Sequence, residues 1–225
     1  MKGARAISVA GEVLITLGVL VLLFVGWELW WTDVTANRAQ SSTVSALEND
    51  FADHSSTSVR PDDAIPGQAF AILRIPRFGA GYAKPVYLGT DHDTLTKGVG
   101  QYLHTAEPGE IGNFAVAGHR TTYGRPFNQV QMLRNGDVII VETAQAYVVY
   151  RVSSHEIVDP SDTAVIAAVP DQVGATASKA YLTMTTCHPE YSARQRYVVH
   201  ALLLRSYPRD TGLPRALLTV PAKGP

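Results

Sequence analysis

Residues 13–27 read VLITLGVLVLLFVGW, with no charge and only Thr16 to interrupt the apolar face. A core helix of a soluble domain carries polar residues at helical spacing, and this run does not. A membrane span needs ~20 residues. Extending the run back to Ala6 reaches that length and takes in one acid, Glu12. Glu12 would then lie near the headgroups, where a charge costs far less than at mid-bilayer. Lys2 and Arg5 precede the run, and Trp27, Trp30 and Trp31 follow it, then Asp33. Positive-before and tryptophan-after predicts a single span with the N-terminus cytoplasmic and the rest of the chain outside the cell. A cleaved signal peptide shares the charge order, but its apolar core is shorter, and no A-x-A site follows directly here.

The span divides the chain. Residues 1–31 form the cytoplasmic N-terminus and anchor. Residues 32–65 read as an extracellular linker, with Ser- and Thr-rich stretches, Asp62-Asp63 and few large apolar residues. Such a stretch does not bury enough surface to fold alone; only residues 44–51 suggest a short helix. Residues 66–209 are left as the folded domain and 210–225 as a tail. That tail reads as irregular, or packs residues 216–220 on the domain. The 225 residues carry a formal net charge of -1, which gives no electrostatic case for nucleic acid.

From Phe70 onward the chain is a succession of short strand-like runs. They include residues 70–75, ending at Pro76, and residues 113–117, leading into Gly118-His119. Residues 138–143 and 146–152 are separated by a gap of hairpin length. Two more runs cover 181–186 and 196–204. The domain is therefore mainly β, an antiparallel barrel or sandwich. Short helical signals fall at 126–133 and 159–173. No βαβ rhythm with a phosphate-binding glycine loop is present.

The chain has one cysteine, Cys187. Outside the cell it has no intrachain disulfide partner, and an unpaired thiol in an oxidising place points to a function. Strand alternation puts Tyr181, Thr183, Thr185 and Cys187 on one face, and Arg196, Val198 and His200 on one face of the next strand. If the two strands pair, Cys187 and Arg196 share a rim. A thiolate nucleophile needs a cation nearby. Arginine supplies one, and its planar fork also stabilises an oxyanion. A proton carrier for a leaving amine is usually histidine, and His119 stands at the end of an apolar strand. Spacing alone leaves open a buried inert thiol, a turn histidine and a surface arginine.

Three segments, taken together, carry a family resemblance. Thr183-Met-Thr-Thr-Cys187 resembles the Thr-Leu-x-Thr-Cys signature of the sortases, with Met184 in place of leucine on the face opposite Cys187. Ala117-Gly-His119 is similar to the sortase histidine motif. Arg196, opening Arg-Tyr-Val-Val-His-Ala, is similar to the sortase arginine. Residues 116–127 and 185–196 most resemble class E sortases of high-GC Gram-positive bacteria. The resemblance implies an eight-stranded β-barrel and a cysteine transpeptidase. Cys187 would attack the Thr–Gly bond of a Leu-Pro-x-Thr-Gly or Leu-Ala-x-Thr-Gly sorting signal. His119 would protonate the leaving amine, and Arg196 would hold substrate and oxyanion. The acyl group would pass to an amine of a peptidoglycan precursor. Tyr102 matches a tyrosine thought to favour alanine in the signal.

Further substrate-binding candidates are Thr186, beside the nucleophile, Tyr123 after His119, and Arg194, a second cation. Arg120 is read as either groove-shaping or solvated. No cofactor is expected. Structural zinc takes four close-spaced ligands, and this pattern is missing. Glu107 and Glu110 are the residues available for a calcium loop. Rival readings are a cysteine hydrolase with water as acceptor, a pilin-polymerising enzyme, and a non-catalytic surface binding module.

Overall fold

The computed structural model describes residues 2–53, 59 and 61–219, without the side chains of 2–8 and 28–30. The expectations for Lys2, Arg5 and Trp30, for the serine-rich stretch at 55–58 and for residues 220–225 lie outside the described residues. Helix α1 runs from Lys2 to Ala52. Its N-terminal part is long and apolar enough to cross a membrane. Trp27 and Trp31 stack at 5.9 Å just beyond the uncharged run.

The linker expected over 32–65 is instead helical as far as Ala52. The few large residues of this stretch recur at helical spacing, so one stripe is apolar. Gln40, Val44, Leu47 and Phe51 are buried along it. Val44, Leu47 and Phe51 pack on Ile72, with Ala69, Ala83 and Ala144 at the edge. The segment folds because the barrel supplies the partner surface that the segment itself lacks.

Eight strands follow: β1 (Ala69–Arg74), β2 (Ala83–Leu88), β3 (Val99–Gln101), β4 (Gly112–Ala117), β5 (Val138–Glu142), β6 (Ala146–Val158), β7 (Ala180–His188) and β8 (Gln195–Pro208). They close into a barrel in the order β1-β2-β3-β4-β7-β8-β6-β5. The barrel is not wholly antiparallel, as the strand runs had suggested. β2 pairs β3, and β4 pairs β7, in parallel. Parallel neighbours need a crossover. Between β2 and β3 it carries a short helix, α2 (His92–Lys97), whose N-cap Asp91 accepts from Thr94 N. Between β4 and β7 it consists of β5 and β6. Pro85 inside β2 and the three-residue length of β3 hid both strands from pattern reading.

The helices expected near 126–133 and 159–173 shrink to single 3-10 turns at Val130–Met132 and Ala164–Ile166. Phe127, Val130 and Leu133 recur every three residues and plug the barrel core, the repeat of a 3-10 turn. Alternation holds in the walls. Phe114 and Val116 of β4, Leu182 and Met184 of β7, and Val199 and Ala201 of β8 face the core. The polar residues between them form an outer floor. At the far side the tail does pack: Leu213, Leu217 and Leu218 cover Val138, Ile140 and Val149.

Candidate active site

The β7–β8 register sets the site. Cys187 lies opposite Arg196, Thr185 opposite Val198 and Thr183 opposite His200. The shared rim read from alternation is therefore present, and Cys187 is partly exposed on it. The parallel β4–β7 ladder ends with Ala117 beside Thr185. Gly118 N then donates to Thr185 O at 3.2 Å, and Thr186 Oγ1 donates to Gly118 O at 2.7 Å. Two residues beyond that last pair, His119 and Cys187 leave neighbouring strands at the same rim. The one cysteine, one histidine and one arginine singled out by sequence thus come to one end of three adjacent strands.

Thr186 is buried, and its hydroxyl is spent on this tie. It holds the histidine strand to the cysteine strand. Arg194 precedes the first residue of β8 and is solvent-exposed. It shares no strand face with Arg196, because the strand does not extend that far. Arg196 Nη1 donates to the carbonyls of Ala193 and Gln195, both at 3.0 Å. Its side chain is folded on its own loop.

Tyr102 OH lies 2.9 Å from Thr185 Oγ1. Thr185 donates in turn to Val116 O at 3.4 Å, which leaves the tyrosine as donor. Tyr102 therefore stands on the floor one rung from the thiol. Tyr123 packs its ring on His119 at a centroid distance of 5.0 Å, and His92 meets the same tyrosine edge-on at 5.9 Å. His119 Nε2 is buried without a hydrogen-bond partner. Burial first, and the neighbouring His92 second, pull the imidazole below its ordinary pKa.

Arg120 is the residue that sequence reasoning underrated. It is buried and lies against the end of β7. Its Nη1 donates to Cys187 O at 3.1 Å and meets His188 Nδ1 at 3.0 Å. Its Nη2 donates to Gln131 Oε1 at 3.2 Å, and the guanidinium lies over Tyr197. The sequence signal was its place directly after His119, since a residue next to one on the rim points inward. Arg120 fixes the Cys187 peptide, while Arg196 is held only by the carbonyls of its own loop.

Below the thiol the floor carries a polar chain. Asn113 Nδ2 donates to Val165 O (3.3 Å) and Ala167 O (2.9 Å), so its Oδ1 accepts from Thr183 Oγ1 at 2.9 Å. Thr183 then accepts from His200 Nδ1 at 2.9 Å, and His200 Nε2 meets Glu156 Oε1 at 2.8 Å. The chain pins the loop between β6 and β7 onto the floor. Among the described residues Glu156, Asp171 and His200 are the group of metal-capable side chains that converges, within 4.8 Å. Both ring nitrogens of His200 are engaged in the chain itself. Of the calcium-loop candidates, Glu107 is half-buried and accepts from Gln101 Nε2 at 3.3 Å.

Comparison with known proteins agrees with this arrangement. A model of the sortase domain matches residues 73–204. Sortase SrtE1 of Streptomyces coelicolor is 39% identical over 217 residues, covering 93% of this chain; the chain spans 60% of that protein's length. Sortase SrtE2 of the same organism is 32% identical, with 90% of this chain and 84% of that protein covered. The structure of sortase E from Streptomyces avermitilis superposes with a TM-score of 0.62 at 40% identity, over 68% of this chain and 99% of that one. The SrtA sortase from Actinomyces oris gives 0.67 at 36% identity, over 75% and 98%. An eight-stranded barrel with cysteine, histidine and arginine at one rim, matched over more than half its length by the family model, makes this chain a member of the sortase family.

Proposed function

We propose that the chain is a membrane-anchored cysteine transpeptidase acting on the Thr–Gly bond of Leu-Pro-x-Thr-Gly or Leu-Ala-x-Thr-Gly sorting signals. The observation that carries the reading is the register of Cys187 against Arg196, with His119 leaving the adjacent strand at the same rim. The Cys187 sulfur, as thiolate, attacks the threonine carbonyl carbon. The carbonyl oxygen becomes an oxyanion, and Arg196 turns from its two backbone carbonyls to donate to it. Collapse re-forms the carbonyl and breaks the C–N bond, and protonated His119 gives its proton to the departing glycine amine. The thioester left on Cys187 is then attacked by an amine of a peptidoglycan precursor, which yields a new amide and restores the thiolate. Neutral His119 takes the proton of the incoming amine.

Tyr102, hydrogen-bonded on the floor beside Thr185, is the residue for the second position of the signal and its preference for alanine. Tyr123 contributes by packing on His119. Positive charge before the span and tryptophan after it support a cytoplasmic N-terminus and an extracellular domain.

The full-length chain in detergent, mixed with a Leu-Ala-x-Thr-Gly peptide and an amine, should give a mass-spectrometric acyl adduct on Cys187 and an amide product. Cys187→Ala should give neither. If His119→Ala and Arg196→Ala turn over like the parent, the assigned roles are wrong. If only the free acid forms, whatever the amine concentration, the chain is a hydrolase.

A further inference from the structure

Beyond His119 the chain makes a turn in which three successive residues have positive φ: Tyr123 (54°), Gly124 (75°) and Arg125 (46°). Residues with a Cβ seldom adopt the left-handed region, and such strain persists only where surroundings impose it. Here much of the imposing is done from outside the barrel. Asp33, Asn37 and Gln40 are spaced by four and three, so they share one face of α1, just past the tryptophans that end the apolar segment. Gln40 Nε2 donates to Tyr123 O at 2.9 Å. Asp33 Oδ1 accepts from Gly124 N at 3.2 Å, and its Oδ2 meets Arg125 Nε at 2.9 Å. Lys84 of β2 donates to Asn37 Oδ1 and Gln40 Oε1, both at 2.7 Å, and to Gly124 O at 3.3 Å.

The fit is close. A Cβ on Gly124 would stand 2.9 Å from Gln40 Oε1 and 3.1 Å from Asn37 Oδ1. What the turn delivers is the Tyr123 ring against His119. The imidazole has a buried, unpartnered Nε2, so packing, and not a hydrogen bond to that nitrogen, sets its orientation.

We propose that Asp33, Asn37 and Gln40 are positioning residues for the reaction: the helix leaving the membrane holds the strained turn that orients His119. This rests on the transpeptidase reading for its kinetic consequence and on geometry alone for its structural one. The anchor is then part of the active-site scaffold, beyond any role as a tether.

The test uses the full-length chain in detergent, with Gln40→Ala, Gln40→Glu (which keeps the Lys84 contact and loses the donor to Tyr123 O) and Ser41→Ala, an exposed neighbour on the same helix. Two readouts run in parallel. One is kcat and KM for the Leu-Ala-x-Thr-Gly peptide. The other is the His119 ring resonance followed by NMR against pH, which needs no turnover. Both Gln40 variants should lose about tenfold or more in kcat at near-constant KM, since small misplacement of a catalytic group is costly. Their His119 midpoint should rise towards that of free histidine as Tyr123 loosens. Ser41→Ala should match the parent. If the parent makes no adduct, the transpeptidase reading fails, and the NMR readout still judges the positioning. An unchanged His119 resonance and midpoint in both Gln40 variants overturns the proposal. So does a loss in Ser41→Ala equal to theirs.

Discussion

Replacing Phe51 by alanine tests whether the end of the long helix belongs to the folded domain. The ring is 1% exposed. It is packed with Val44 and Leu47 of its own helix and Ile72 of the barrel, and the Arg209 guanidinium lies 4.9 Å over its face. Fully burying a ring of this size removes roughly 150–250 Å² from water, which at about 25 cal/mol per Å² gives roughly 4–6 kcal/mol. Measured Phe→Ala changes in cores cost about 3–5 kcal/mol. Backbone ties resist collapse into the gap, because Arg209 Nε donates to Phe51 O at 3.1 Å and its Nη1 to Thr143 O at 3.0 Å. A loss of about 4 kcal/mol is therefore expected. At about 2–4 °C per kcal/mol for a domain of this size, the melting point should fall by roughly 8–16 °C. The assay is thermal and urea unfolding of the full-length chain in detergent, followed by near-ultraviolet circular dichroism. A loss below about 1 kcal/mol would show that the helix does not pack on the barrel in solution. A domain cut at residue 60 should be less stable than the variant. It also loses Val44, Leu47 and the Glu48–Arg74 ion pair.

Three further outcomes follow from the same geometry. Glu142, 4% exposed at its side chain, sits between Arg74 (2.7 Å) and Arg209 (2.9 Å). Glu142→Gln leaves Arg209 without a carboxylate and Arg74 with Glu48 alone, and should cost about 3–5 kcal/mol in urea unfolding, whereas a change under about 1 kcal/mol would mean the pair is solvated. Gly100 packs so closely that a Cβ would lie 2.2 Å from the Gly89 carbonyl oxygen. Gly100→Ala should therefore part β2 from β3 at a cost of at least about 2 kcal/mol, seen as a lower urea midpoint; an unchanged midpoint would contradict that approach. Burial depresses the His119 pKa in the folded state, so its contribution is fully present above the unfolded value of about 6.5. It is lost as pH falls through the lower folded value. The stability of the parent relative to His119→Asn should then decline on acidification from about pH 7 to 5, and a flat difference would count against a buried imidazole.

Much of the site was legible because strand alternation has a period of two and pairing follows from it. Once β7 and β8 are adjacent, Thr183, Thr185 and Cys187 must share the outer floor with Arg196, Val198 and His200. Met184 must face the core, as it does. His119 stood out at the end of an apolar strand, but only the family motifs tied it to a cysteine sixty-eight residues later. Tyr102 was placed by resemblance, and its bond to Thr185 depends on how β3 lies against β4. Arg120 was underrated because a charged loop residue is usually solvated. Only the packing of Gln131, His188 and Tyr197 around it makes burial affordable.

The sequence by itself determined the uncharged apolar segment, the mainly β domain, the faces of the strands and the residues at the rim. Each of these depends on local composition or on a short period. Tertiary structure decided the two parallel ladders, the fate of residues 32–52 and the grip of Asp33, Asn37 and Gln40 on the turn after His119. A stripe of four buried residues on a polar helix has no meaning until a partner surface exists. Here that surface is built from Ile72 and the alanines at 69, 83 and 144, which come together only when the barrel closes.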